Sequence, residues 1–178
     1  MKRFIIFVAL FASAIGGGIA MQSLAHAQAA PMTETHIERI RSNCVEAQST
    51  LTQLHASDAG LRVNRGQLYE LISTKLMAPF NSRVALNRLN GASLVTVATS
   101  YESQLAAFRT LYQQYEEAMS GTLRINCKNQ PVAFYDSVND TRTKRKKVNE
   151  STLLLQQTVE QYKAEFEKFA KTIPESKS

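Results

Sequence analysis

The chain has 178 residues with two cysteines, seven glycines, four prolines and no tryptophan, and a formal net charge of +6. That size suits one domain with a real core, and scarce glycine and proline beside abundant Ala, Leu, Gln, Glu and Lys favour helix over sheet. The basicity is too mild for a nucleic-acid partner, and no aromatic residues interleave with the cations as stacking platforms for bases would.

The chain opens with Lys2 and Arg3, continues through an apolar stretch over residues 4–15, and reaches small residues ending Ala25-His26-Ala27-Gln28-Ala29. A basic start, a short apolar core and a small-x-small exit define a secretory leader. The reading is therefore a signal peptide over 1–29, cleaved after Ala27 or Ala29, and a single helical domain over 30–178 with a frayed tail at 174–178. Retention as an N-terminal membrane anchor stays open, because residues 4–21 nearly reach the length of a spanning helix. Against it stand Gly16, Gly17 and Gly18, each weakening a helix by about 1 kcal/mol relative to Ala. No membrane span is expected after cleavage. The expected address is the periplasm or the extracellular surface of a bacterial cell. Loss of Lys2 and Arg3 lowers the charge from +6 to +4. In an oxidising compartment an even cysteine count predicts an intrachain disulfide, Cys44–Cys127. Two thiols without a His pair supply too few ligands for a metal.

Three seven-residue apolar repeats fill the rest. The first runs Ile37, Ile40, Cys44, Ala47, Leu51, Leu54, Asp58, Leu61, Arg65, Leu68 and Ile72, behind a Thr35/Glu38 capping-box pattern. Its register passes Gly60 and Gly66, so residues 34–89 read as one long helix or two, with a kink near Pro79 and a turn at Asn90-Gly91. The second runs Leu94, Ala98, Tyr101, Leu105, Phe108, Tyr112, Tyr115 and Met119, with Gly121 placed as a helix C-terminal glycine. Residues 122–127 alternate apolar and polar, which predicts a short extended segment. Pro131 suits the first turn of the last helix. There the repeat is Phe134, Val138, Thr141, Arg145, Val148, Thr152, Leu155, Val159, Tyr162, Phe166, Phe169 and Ile173, stopped by Pro174.

These repeats predict an all-α fold: an elongated bundle of three or four long helices with coiled-coil-like packing and one disulfide. Helix lengths put Arg145 at about the level of Asp58 and Arg65, all on apolar seams, which makes Asp58 and Arg145 a candidate buried ion pair.

Chemistry-bearing motifs are scarce. His36 and His55 have no second His at ligand spacing, and no HExxH, GxSxG, P-loop or GxGxxG pattern occurs. Glu116-Glu117 reads as a solvated acidic face, and the tyrosines at 101, 112 and 115 read as core. The strongest charge feature is the run Arg142, Lys144, Arg145, Lys146, Lys147. Of these, Arg142, Lys144, Lys146 and Lys147 are the candidate polyanion contacts, and a solvated helix face is the plainer reading. The sequence thus points to a non-catalytic exported envelope protein with a binding or scaffolding role and no cofactor. Its partner would be a protein or an envelope polyanion, and oligomerisation stays open. The alternatives are a periplasmic holdase-type chaperone and, third, a small helical enzyme or metal binder.

Overall fold

The computed structural model describes residues 32–173. The leader, its cleavage sites and the tail at 174–178 lie outside the described residues. Helix α1 covers Glu34–Ser42 and α2 covers Cys44–Leu71. A π-helical stretch, Ile72–Met77, leads into α3, Ala78–Leu86. Helix α4 covers Ala92–Arg124 and α5 covers Pro131–Ala170. No strand occurs among the described residues, and no helix among them is long and apolar enough to cross a membrane.

Residues 34–86 form one articulated rod. Thr33 caps α1 by accepting the His36 N–H at 3.4 Å, so the cap lies two residues before the expected Thr35. A single non-helical residue, Asn43, separates α1 from α2, and the Ala47 N–H still reaches the Asn43 carbonyl at 2.9 Å. In place of a sharp kink at Pro79, the wider turn over Ile72–Met77 comes just before it. There Ala78 donates to the Ser73 carbonyl, five residues back. Pro79 has no N–H to give its own turn, and the wide turn absorbs that loss.

The rod ends in a Schellman motif. Arg88 adopts φ 56°, its N–H reaches the Ala85 carbonyl, and Leu89 N–H reaches the Val84 carbonyl, both at 3.0 Å. Gly91 then passes so close to the rod that a Cβ there would sit 2.5 Å from Val84 Cγ1.

Helix α4 returns antiparallel to the rod and α5 runs parallel to it. The pairs Gln48–Ile125, Asp58–Tyr115 and Tyr69–Tyr101 fix the first relation. Cys44–Cys127, Asp58–Arg145 and Asn81–Tyr162 fix the second. The chain is therefore a three-rod, up-down-up bundle, and α4 packs on α5 along most of its length. On α4, Leu94, Tyr101, Leu105, Phe108, Tyr112, Tyr115 and Met119 are all buried. Their spacing of three and four keeps one stripe facing the partners.

Polar residues interrupt the α4–α5 seam without breaking it. The Thr122 hydroxyl lies 2.7 Å from the Ser137 hydroxyl and 2.8 Å from that of Thr141. Thr158 donates to Gln104 at 2.7 Å. Among the described residues no buried side-chain polar atom lacks a partner.

Cys44 and Cys127 are joined, with Cα atoms 5.6 Å apart and 83 residues of separation. Beside the bridge, Gln48 donates to the Ile125 carbonyl at 2.9 Å. The expected extended segment at 122–127 is absent: α4 continues through Gly121 to Arg124, and a turn follows. Thr122 extends the buried stripe of α4, so burial overrides the local alternation. Asn126 Oδ1 accepts the N–H groups of Lys128 and Asn129, each at 3.1 Å, and shapes the turn into Pro131.

One expectation about register fails. Leu61 and Leu68 are about half exposed, at 47% and 54%, whereas Tyr69 is buried. From Asp58 the seam steps eleven residues to Tyr69 rather than ten to Leu68. An eleven-residue step is three turns at about 3.67 residues each, nearer a straight helix than the heptad's 3.5. Between Leu54 and Tyr69 no residue of α2 is fully buried.

Candidate functional site

The slip in α2 leaves a space under it. A cavity of about 390 Å³ opens between α2, α4 and α5 at mid-length. Its apolar wall is Leu61, Phe108 and Val148 with the rings of Tyr112 and Tyr115. Five cations surround it: Arg62 and Arg65 from α2, and Arg142, Arg145 and Lys146 from α5. Helical spacing explains the convergence. Positions 62 and 65 are one turn apart, as are 142, 145 and 146, so each set shares one face. The sequence reading missed Arg62, which lay off the assumed seam, and took Arg65 for a seam residue. The signal available was their place four and seven residues beyond Asp58.

Among the described residues Asp58 is the only carboxylate lining the cavity, and Arg145 holds it. Arg145 donates through Nε to Oδ2 at 2.7 Å and through Nη2 to Oδ1 at 2.9 Å, a two-pronged pair. Tyr115 adds a third hydrogen bond to Oδ2 at 2.6 Å. Burial pulls the Asp58 carboxyl upward, but the Arg145 and Tyr115 hydrogen bonds outweigh it and hold the group below its ordinary value. The pair is not fully buried as expected: the Asp58 side chain is 11% exposed and that of Arg145 47%. The carboxylate sits inside while its cation stands at the mouth.

Arg62 lies over the Tyr112 ring, 4.7 Å from its centroid, a cation–π arrangement. Tyr112 also donates to Glu116 Oε2 at 3.1 Å, and the other oxygen of Glu116 meets His55 Nε2. Glu116 is therefore a partly buried bridge from α4 to α2 rather than the solvated charge expected of it, while Glu117 accepts from Gln113 at 3.0 Å. Burial first, then the bond to Glu116, pushes the Tyr112 phenol up to about 12. Burial first, then the bond to Asp58, raises Tyr115 further. Both hydroxyls therefore stay protonated donors at neutral pH.

The structure divides the basic run. Arg142 and Lys146 face the cavity, with Arg145 between them. Lys144 pairs with Asp140 on its own helix and does not line the cavity, and neither does Lys147. Lys146 has Glu150 at 3.7 Å. Among the described residues Arg62, Arg65 and Arg142 form no ion pair with a carboxylate. Unpaired cations around one concave surface reinforce each other's field, and the low-dielectric aromatic wall focuses it.

A second recess lies on the other flank of α2, lined by Val63, Gly66, Leu71, Leu105 and Phe108. On its rim Arg109 pairs with Glu70, and Arg62 stands there as well, so that it borders both hollows. No group of three His, Cys, Asp or Glu side chains capable of holding a metal occurs among the described residues. The site thus offers positive charge and apolar surface together. No family model matches the chain, and neither a curated protein nor a solved structure is detectably similar to it.

Proposed function

We infer that the chain is an exported, non-catalytic envelope protein that binds an anionic ligand in the cleft between α2, α4 and α5. One observation carries the reading: among the described residues five cations from two helices line a single aromatic-walled cavity, and the only carboxylate there is already held by Arg145. The secretory leader read in the sequence and the Cys44–Cys127 bridge are in keeping with an oxidising compartment. The binding role falls to Arg62, Arg65, Arg142 and Lys146, with Arg145 organising Asp58.

The test is retention on phosphocellulose. Replacing Arg62, Arg65, Arg142 and Lys146 with Gln should lower the eluting salt concentration sharply and flatten its salt dependence. Replacing Lys144 and Lys147 with Gln, which removes charge outside the cavity, should shift elution only slightly. Equal loss per charge in the two sets would reduce the basic run to general surface charge.

A holdase role is the second reading, and a specific observation favours it. Leu61, Val63, Leu68, Leu71 and Leu76 are all about half exposed along one rod, and Val63 and Leu71 line the second recess. A chaperone of this kind should suppress light scattering from a heat-aggregating client protein at equimolar ratio. Loss of that suppression in Val63→Ser/Leu71→Ser, together with phosphocellulose retention that does not depend on Arg62, Arg65, Arg142 and Lys146, would favour the second reading over the first.

A further inference from the structure

We propose that the ligand of the cationic cleft is a single-chain amphiphile with one acidic headgroup, of the alkyl phosphate type, rather than a bare ion or a polymer. The inference rests on the anion-binding reading above and adds the apolar half of the ligand. A bare anion needs donors alone. This cleft sets its donors around a wall of Leu61, Phe108, Val148 and the Tyr112 ring, which gives a small hydrophilic ion nothing to bind. A polymer needs a track that repeats along the surface. Here Arg62, Arg65, Arg142, Arg145 and Lys146 converge on one cavity of about 390 Å³, near the small end of the range for ligand pockets. Only Arg62 and Arg142 among them reach on to a neighbouring recess.

Charge complementarity fixes the orientation. Arg142 and Lys146 are exposed on α5 and stand across from Arg62 and Arg65 on α2, so the headgroup lies between the two helices. Asp58, spent on Arg145 and Tyr115, turns no free carboxylate toward it. The chain of the amphiphile then covers Leu61 and Val148, side chains that the bundle itself leaves incompletely buried. Leu61 stands half exposed in the cavity wall at a heptad position. Under the amphiphile it becomes the contact that the slip in α2 makes available.

The proposal predicts a chain-length dependence. Hexyl, octyl and decyl phosphate should bind one per chain by calorimetry, tightening about three- to fourfold per added methylene. Inorganic phosphate should bind far more weakly, and octyl glucoside, with the same tail and no charge, should neither bind tightly nor compete. Arg142→Gln with Lys146→Gln should weaken octyl phosphate at least tenfold while keeping the chain-length slope. Leu61→Gln should flatten the slope while keeping the response to salt. Both sets of residues are exposed, so the fold survives the changes, and circular dichroism checks that it does. Affinity independent of chain length, with inorganic phosphate bound as well as its octyl ester, would overturn the amphiphile and leave the anion reading standing. Octyl glucoside bound as tightly as octyl phosphate, or no binding by any of these probes, would overturn both.

Discussion

Helices α4 and α5 meet along a seam that closes, and α2 lies over them along one that does not. In both regions the sequence repeats apolar residues at three and four. On α4 the repeat from Leu94 to Met119 carries only apolar or aromatic residues, nearly all fully buried. On α2 the same repeat carries Asp58 and Arg65, and Gly60 and Gly66 lie just off it. A charge at a seam position must find a partner or leave the seam, because burying it alone is costly. Asp58 found Arg145 and stayed. Arg65 found no carboxylate and stands with half-exposed Leu61 at the open cavity, while Leu68 turned outward. The lesson is that periodicity fixes which face of a helix is sticky, while the weakest positions on that face decide whether the helices touch.

The largest effect should come from the bridge that pins the start of α2. Cys44→Ser with Cys127→Ser removes a closure over 83 residues, a loss of about 4 to 5 kcal/mol in the chain-entropy view. Denaturant midpoints should show it, and hydrogen exchange should accelerate more in α2 than in α4 or α5. Equal acceleration everywhere would erase the contrast between the two regions.

Next comes a direct contrast of two leucines. Leu105→Ala, in the closed seam, should cost about 3 kcal/mol. Leu61→Ala, at a repeat position of α2, should cost well under about 1 kcal/mol, as exposed substitutions do. If chemical unfolding gives similar losses for both, the cavity beneath α2 does not exist in solution.

The Asp58–Arg145 pair should show a coupling of about 1 kcal/mol in a double-mutant cycle, modest because the arginine is half exposed. Its pH dependence has a definite sign. The folded carboxyl titrates below the unfolded one, so its contribution is full above the ordinary carboxylate value of about 4 and is lost as pH falls through the lowered folded value. Asp58→Asn should remove that part of the acid sensitivity.

The smallest expected effect sharpens the comparison from the helix side. A Cβ at Gly60 or Gly66 would meet nothing within 4 Å. Gly60→Ala and Gly66→Ala should each stabilise α2 by about 0.5 to 1 kcal/mol, since no clash offsets the gain in helix propensity. A thermal melt of the double variant should move upward. A downward shift would mean that α2 packs more closely here than its exposure indicates.

The sequence was most legible where one rule acted alone. The α4 stripe follows from spacing, and the Cys44–Cys127 bridge from cysteine count and expected compartment. Helix lengths place Arg145 beside Asp58, and there the two side chains meet. Legibility failed where two rules competed. Residues 122–127 alternate like a strand, but Thr122 is fully enclosed by Ser137 and Thr141, and α4 extends to keep it so. The cleft was the least legible part. It requires the eleven-residue step in α2, which turns Arg62 and Arg65 toward α5, and only tertiary packing decides between steps of ten and eleven. The run at 142–147 was visible as charge, but which members face inward depends on the phase of α5 against α4.

The bridge also determines how the molecule would bear a mechanical load. Pulled from residues 32 and 173, the chain would pass tension along residues 32–44, across the Cys44–Cys127 bond and on through residues 127–173. Helix α4 and the rod from Cys44 onward lie in the covalent loop and carry none of that force. Full extension would then reach roughly 200 Å, against roughly 500 Å with the bridge reduced, at roughly 3.5 Å per residue. Two of the three walls of the cleft, those from α2 and α4, would ride inside the sheltered loop while α5 took the strain.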